Sequence, residues 1–221
     1  MSNPRVVGGC FLLALLLASQ NLVPGYGVVD AGIASNQLTA DSAPGGVSLA
    51  ARLDRDILAE PDAGTVVIDQ GLEDLLLSAS DRTQCVSGST SCPMVDVYTA
   101  LIEQLNAFGI NVIVANLTPC HGYSNATASD SCNGTESPQA EPARGWINDQ
   151  IMGGQLTVDP YCGADLESAV GDGGNPMALQ SADATSDKVN LTWTGYAALA
   201  PAVPVGQFCL GPGNLPLPPT P

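Results

Sequence analysis

The stretch VDVYTALIEQLNAFGINVIVA, Val95 to Ala115, decides how this chain is read. Its first part sets Val97, Leu101, Ile102, Leu105 and Phe108 at helical spacing, the inward face of an amphipathic helix. Gly109 follows as the C-cap, since a residue without Cβ accepts the left-handed conformation that ends helices. Asn111–Ala115 then reads as a strand whose apolar run is continuous rather than alternating. Such a strand needs cover on both faces, which is the condition of a parallel sheet between helical layers.

The same alternation continues in both directions. Upstream, Tyr26–Ala31, closed by Gly32, and Thr65–Asp69, ended by Gly71, read as strands. Between them residues 46–59 predict a helix with Val47, Leu49, Ala50, Leu53, Ile57 and Leu58 inward. Its outward residues are Arg52, Asp54, Arg55 and Asp56, and Pro61 stops it. Downstream, helices are expected over Pro142–Ile151 and Thr192–Val203, with a weaker strand around Leu156–Tyr161. The expected fold is α/β: a three-layer α/β/α sandwich with a central parallel sheet, flavodoxin-like, without internal repeats. Such sheets bind ligands outside the carboxyl ends of their strands. The chemistry is therefore sought in Gly32–Asn36, Asp69–Asp74, Asn116–His121 and Asp183–Thr192.

Composition narrows the partners. The 221 residues hold six Lys and Arg against 22 Asp and Glu, a formal net charge of −16. The basic residues (Arg5, Arg52, Arg55, Arg82, Arg144, Lys188) are scattered, which excludes a nucleic-acid partner and disfavours anionic membranes. A hydrophobic content of 45% suits one globular domain.

Seven cysteines suggest an oxidising compartment. Cys85/Cys92 and Cys120/Cys132 each bracket a polar loop that a short disulfide would pin. Cys162 and Cys209 form a possible third pair, leaving Cys10 odd. No Cys-x-x-Cys occurs and His121 is the single histidine, so no metal site and no cofactor are expected. Residues 1–25, with one positive charge before the apolar run Phe11–Ala18, read as a signal peptide, or alternatively as a truncated first helix. The domain is then expected over 26–205, with a Pro/Gly-rich extended tail over 206–221. No run reaches membrane-spanning length, so stable membrane insertion is not expected.

Four segments in register resemble the SGNH/GDSL-type hydrolase family over about residues 26–203. Asp30-Ala-Gly-Ile-Ala-Ser-Asn36 looks like its second block, Asn-Ala-Gly-Ile-x-Gly-Asn. Gly71-Leu-Glu-Asp74 looks like Gly-x-Asn-Asp, and Ala115-Asn-Leu-Thr-Pro119 is similar to a strand end written Thr-Leu-Thr-Pro. Asp187-Lys-Val-Asn190, with Gly195-Tyr196 following, resembles Asp-x-x-His-Pro-Asn-x-x-Gly-Tyr.

The resemblance implies acyl-ester hydrolysis by a Ser nucleophile, an oxyanion hole and an Asp/His pair. On this chain the Gly-Asp-Ser block is absent, the sequence being expected to enter just before the second strand. The oxyanion Gly falls on Ser35, the oxyanion Asn on Glu73, and the His on Asn190. Asp187 keeps its place. An anion at 73 opposes a developing oxyanion, and an amide at 190 is no general base near neutral pH. The positions matching family blocks are thus Asp187, Glu73, Asn190 and Ser35, with Gly32, Asn36, Gly71, Asp74, Trp193 and His121 as cleft-lining candidates.

Other readings compete at these positions. His121 could be a base on the rim or an exposed loop residue beside a disulfide. Asp69, Glu73, Asp74 and Asp187 could pair for acid/base chemistry on a glycoside or hold a cation; the plainer reading has Asp74 capping a helix and the others solvated. Trp146 and Trp193 could stack sugar rings or simply pack on the sheet. Four Asn-x-Thr sites (Asn116, Asn125, Asn133, Asn190) matter only in a host that glycosylates them. Gly171–Pro176 reads as a flexible turn. The functional expectation is a secreted, monomeric, SGNH-like protein with a degraded site that binds a carbohydrate or another extracellular ligand. The alternative is a carboxylic-ester hydrolase with a displaced or upstream nucleophile.

Overall fold

Arg5–Gly8 (β1), Gly27–Asp30 (β2), Ala63–Ile68 (β3), Asn111–Ala115 (β4) and Cys162–Ala164 (β5) pair as one parallel sheet. Its order is β2-β1-β3-β4-β5. The computed structural model describes residues 5–8, 27–43, 45–123, 132, 140–156 and 161–204. From β1 the chain goes outward to β2 and then returns to β3 on the other side. The order therefore reverses between β1 and β3, and such a switch point is where open α/β sheets place their crevice.

Period-two alternation separates the two faces of the sheet. Val66, Ile68, Val112 and Val114 enter one apolar core with Leu53, Ile57, Leu101, Leu105 and Ile147. Val67, Ile113 and Ala115 enter the other, with Leu166, Val170, Leu199 and Val203. The first core is supplied by α1 (Leu49–Leu53, continued by a π-helical turn over Asp54–Leu58), α4 (Pro93–Ala107) and α5 (Ala140–Met152). The second is supplied by α6 (Leu166–Val170) and α7 (Trp193–Leu199, then a 3-10 turn over Ala200–Ala202). Two short helices, α2 (Leu72–Leu77) and α3 (Ala79–Gln84), follow β3. Residues 171–179, expected as a turn at their start, form the antiparallel pair β6 (Gly171–Asp172) and β7 (Asn175–Leu179). This is the expected three-layer α/β/α sandwich.

Several expectations change. The sheet does not begin at the strand near residue 26, because Arg5–Gly8 lies inside it. Val6 and Val7 are in register with Val28 and Val29 on one side and with Thr65 and Val66 on the other. The apolar run Phe11–Ala18 and the tail 206–221 lie outside the described residues, as do Cys10, Asn125, Asn133 and Cys209. β2 is an edge strand with exposed ends, although its run reads as buried. The weaker strand appears at Cys162–Ala164, beyond its expected position. Phe108, expected inward, is 66% exposed: it is the C-cap of α4, where the helix axis has already passed the core. Val47 is exposed too, ahead of the first helical turn.

Arg52, expected outward, is only 2% exposed. Its guanidinium donates to Asn36 Oδ1 at 3.0 and 3.1 Å, to Ala31 O at 2.7 Å and to Asp56 Oδ2 at 2.9 Å. A buried cation is tolerable when partners satisfy its donors in this way. Disulfides join Cys85 to Cys92 and Cys120 to Cys132, and Cys162 is also disulfide-bonded. Among the described residues no helix is long and apolar enough to cross a membrane.

Candidate functional site

Three of the four segments singled out in the sequence meet at the carboxyl edge of the sheet. Leu72 at the start of α2, Tyr123 in the loop after β4 and Val189 in the loop before α7 pack around Leu76, Cys120, Cys132 and Ala140. Glu73 and Asn190 are the chain neighbours of two of these contacts. A Cβ built on Gly122 would stand 3.6 Å from Lys188 Cγ, so the His121 loop runs beside the Asp187 loop. The His121 amide donates to Met177 O at 2.9 Å, which ties this loop to β7.

The fourth segment, after β2, is held to the segment after β3 by hydrogen bonds. Gly32 N–H donates to Asp30 Oδ1, starting the turn out of β2. Ser35 has φ +58°, and Gly45 packs so closely on its carbonyl that no side chain would fit there. Asn36 is fully buried; its Nδ2 donates to Gly45 O and Val47 O, each at 2.7 Å, while Oδ1 takes the Arg52 guanidinium. Gln70 Nε2 donates to Asn36 O.

Asp74 neither caps α2 nor lines an open cleft. It is fully buried and accepts from Leu38 N (2.7 Å), Thr39 N (2.8 Å) and Thr39 Oγ1 (2.7 Å). Burial pushes its carboxyl up, opposed by those donors. Gly71, at the N-cap of α2, has φ +124°, and a Cβ there would lie 2.5 Å from Tyr98 Oη. Asn36, Gly71 and Asp74 are therefore framework: they fix where Ser35 and Glu73 stand.

Two half-buried carboxyls remain on this edge. Asp69, directly after β3, is pushed up to about 6 by burial. Glu73 is also raised, first by burial and then by the neighbouring Asp74 charge. Asp187 behaves oppositely: against the cost of burial, donors from its own loop hold it well below the usual carboxylate range. Asn190 Nδ2 donates to Oδ2 at 2.7 Å, and Thr185 Oγ1 (2.6 Å), Asn190 N (2.9 Å) and Val189 N (3.1 Å) donate to Oδ1. Lys188 takes φ +67° to close this turn.

Asp69, Glu73, Asp74 and Asp187 do not assemble as a cation site. Among the described residues the one group of three ligand atoms within 4.8 Å of one another is Cys120, Cys132 and Glu141, and there the two sulfurs are bonded to each other. Trp146 is half-buried against the first core, whereas Trp193, at the start of α7, is 56% exposed. Asn116 is buried: its Nδ2 donates to Asp165 Oδ1 and its Oδ1 accepts from Glu167 N, which makes it unavailable for modification in the folded chain.

The sequence reading missed the consequence of β1. Once Arg5–Gly8 is a strand at the switch point, the residues after Gly8 hold the place in chain order of the family's first block. Gly9 and Cys10, outside the described residues, come next in sequence. The signal was Val6-Val7 followed by Gly8-Gly9, a β-branched pair before a turn, masked by the longer apolar run behind it.

The chain matches no family profile and no curated protein. Solved structures do resemble it. A GDSL-like lipase from Bacteroides thetaiotaomicron superposes with a TM-score of 0.58 at 14% identity, covering 91% of this chain and 89% of that one. An aryl esterase of M. smegmatis gives 0.61 at 13% identity, covering 90% and 95%. A carbohydrate acetylesterase from Sinorhizobium meliloti gives 0.60 at 12%, again covering 90% and 95%. With its 2-1-3-4-5 sheet, its two helical layers and these superpositions, the chain has the SGNH/GDSL-type hydrolase fold.

Proposed function

We propose that this chain is a secreted, non-catalytic relative of the SGNH/GDSL-type hydrolases that uses the cleft at the sheet's carboxyl edge to bind a carbohydrate or another small extracellular ligand. The observation that carries this reading is the bond from Asn190 Nδ2 to Asp187 Oδ2. On the family resemblance an imidazole belongs at 190, oriented by that carboxylate. An amide takes the carboxylate's hydrogen bond but cannot take a proton from a nucleophile near neutral pH. Glu73 adds to the case, because a carboxylate in the oxyanion-binding place repels the charge that would develop there. The exposed Trp193 ring, three residues past Asn190, is a stacking surface of the kind that sugar rings use. Disulfides in the fold support an oxidising, extracellular setting.

The alternative, an ester hydrolase, is favoured by one observation. With β1 at the switch point, a nucleophile could come from within the chain, and Cys10 is the nearest nucleophilic side chain after Gly8 in sequence. Hydrolysis of a chromogenic short-chain acyl ester, run with fluorophosphonate and iodoacetamide probes, separates the two readings. The proposal expects no turnover and no probe-sensitive activity from folded protein, with glycan binding that Trp193→Ala weakens. Turnover abolished by Cys10→Ala would overturn it.

A further inference from the structure

We propose that the Cys120–Cys132 cystine is a redox-responsive clasp for the cleft, easier to reduce than Cys85–Cys92 and coupled to the position of His121. Both its cysteines are fully buried, and the side chains packed around them come from three places on the carboxyl edge: Leu72 at the start of α2, Tyr123 after β4 and Val189 before α7. Cys85 and Cys92 lie in the main core between α3 and α4, away from these loops.

The two cystines differ in what their reduced forms would meet. Glu141 Oε2 lies 3.6 Å from Cys120 Sγ and 3.8 Å from Cys132 Sγ. In the cystine neither sulfur carries a proton, so the carboxylate gains no hydrogen bond from either. After reduction each sulfur carries one, and an S–H can donate to a carboxylate that is already in place. Arg144 fixes that carboxylate: its Nε donates to Glu141 Oε1 and Oε2 at 3.0 and 2.9 Å, and its side chain is 3% exposed. A hydrogen bond to a charged group in so dry a setting favours the dithiol. No carboxylate is bonded to Cys85 or Cys92 among the described residues.

The reaction is thiol–disulfide exchange with an external dithiol. The dithiol is oxidised to its disulfide, the Sγ–Sγ bond breaks, and each cysteine gains one proton and one electron. The consequence is local. Cys120 is joined directly to His121, whose amide is fixed on Met177 O, and Gly122 lies against Lys188. Freeing Cys120 from Cys132 loosens the apolar contact that holds Val189 and Leu72 together, and so the spacing of Asn190 and Glu73. The inference rests on reading this edge as the ligand cleft, but its redox half does not depend on what the cleft binds.

The test equilibrates the intact protein in buffers of graded reduced-to-oxidised dithiothreitol ratio, traps thiols by alkylation and maps them by mass spectrometry. The expected result is half-reduction of Cys120/Cys132 at a reduced-to-oxidised ratio at least about tenfold lower than for Cys85/Cys92, the scale of one charge-assisted hydrogen bond. The imidazole proton signals of His121, the only histidine in the chain, should move in step with the first transition and not with the second. In Glu141→Gln the gap should narrow. Joint reduction of the two cystines, the reverse order, a gap unchanged in Glu141→Gln, or His121 signals that ignore the first transition would each overturn the proposal. Absence of glycan binding with the redox order intact would count against the proposed function alone.

Discussion

Asn190 and Asp187 form a closed pair: the amide Nδ2 of one sits 2.7 Å from the carboxylate Oδ2 of the other, and the backbone N–H of Asn190 bonds Oδ1 at 2.9 Å. Thr185 Oγ1 and Val189 N also donate to Oδ1. The carboxylate that would orient a base in a hydrolase here holds its own loop shut.

Asp187→Ala should therefore destabilise the fold by about 1–3 kcal/mol at neutral pH, the range for a carboxylate accepting several bonds. Because the folded state holds this carboxyl below its ordinary value, the contribution is present above the unfolded-state value and is lost as pH falls through the acid range. Urea titrations of both proteins should differ at pH 7 and converge towards pH 2. An equal difference at both ends would contradict the bonding seen here.

Asp69 predicts the opposite sign. Its carboxyl is raised to about 6, so the folded state binds the proton more tightly than the unfolded chain. Stability attributable to it is full at acid pH and falls as pH rises through about 6. Asp69→Asn should then stabilise the fold at pH 7.5 by at most about 3 kcal/mol, read as a higher melting temperature, and change little at pH 4. A destabilised variant at pH 7.5 would mean that Asp69 has a partner it needs ionised.

Asp74 joins α2 to the loop after β2 through three bonds, with no ion pair to a cation among the described residues. Asp74→Ala strands two backbone N–H groups, at Leu38 and Thr39, and should cost about 2–4 kcal/mol. Hydrogen exchange at those two amides should accelerate more than at Val66–Ile68 in the sheet. Uniform acceleration would indicate global rather than local loosening.

Gly71→Ala meets two obstacles: φ of +124°, which side chains avoid, and a Cβ 2.5 Å from Tyr98 Oη and 2.8 Å from Met94 Cε. A loss of about 2 kcal/mol or more is expected. Tyr98→Phe removes one of the clashing atoms, so the double variant should recover part of the loss measured in the Gly71→Ala background. Strict additivity of the two changes would show that backbone strain, not the clash, dominates.

The amino-acid sequence by itself determined the layer architecture. The continuous apolar runs at Thr65–Asp69 and Asn111–Ala115, with an amphipathic helix between them, can be satisfied only by a parallel sheet covered on both faces. Local spacing also gave the two short disulfides, because each closes a polar loop within its own neighbourhood. The tertiary structure alone decided the rest. Arg5–Gly8 is too short to be seen as a strand until β2 and β3 offer it backbone partners on both sides. Arg52 looks solvated until Asn36 and Ala31 converge on it from the loop after β2, joining Asp56 one turn along its own helix. Asp74 looks like a helix cap until Leu38 and Thr39, thirty-five or more residues away in sequence, present their amides. Periodicity reports which face of an element is apolar, since that depends only on neighbours along the chain. The partner of a buried polar group is set by which distant backbone comes within 3 Å of it, and no local pattern encodes that distance.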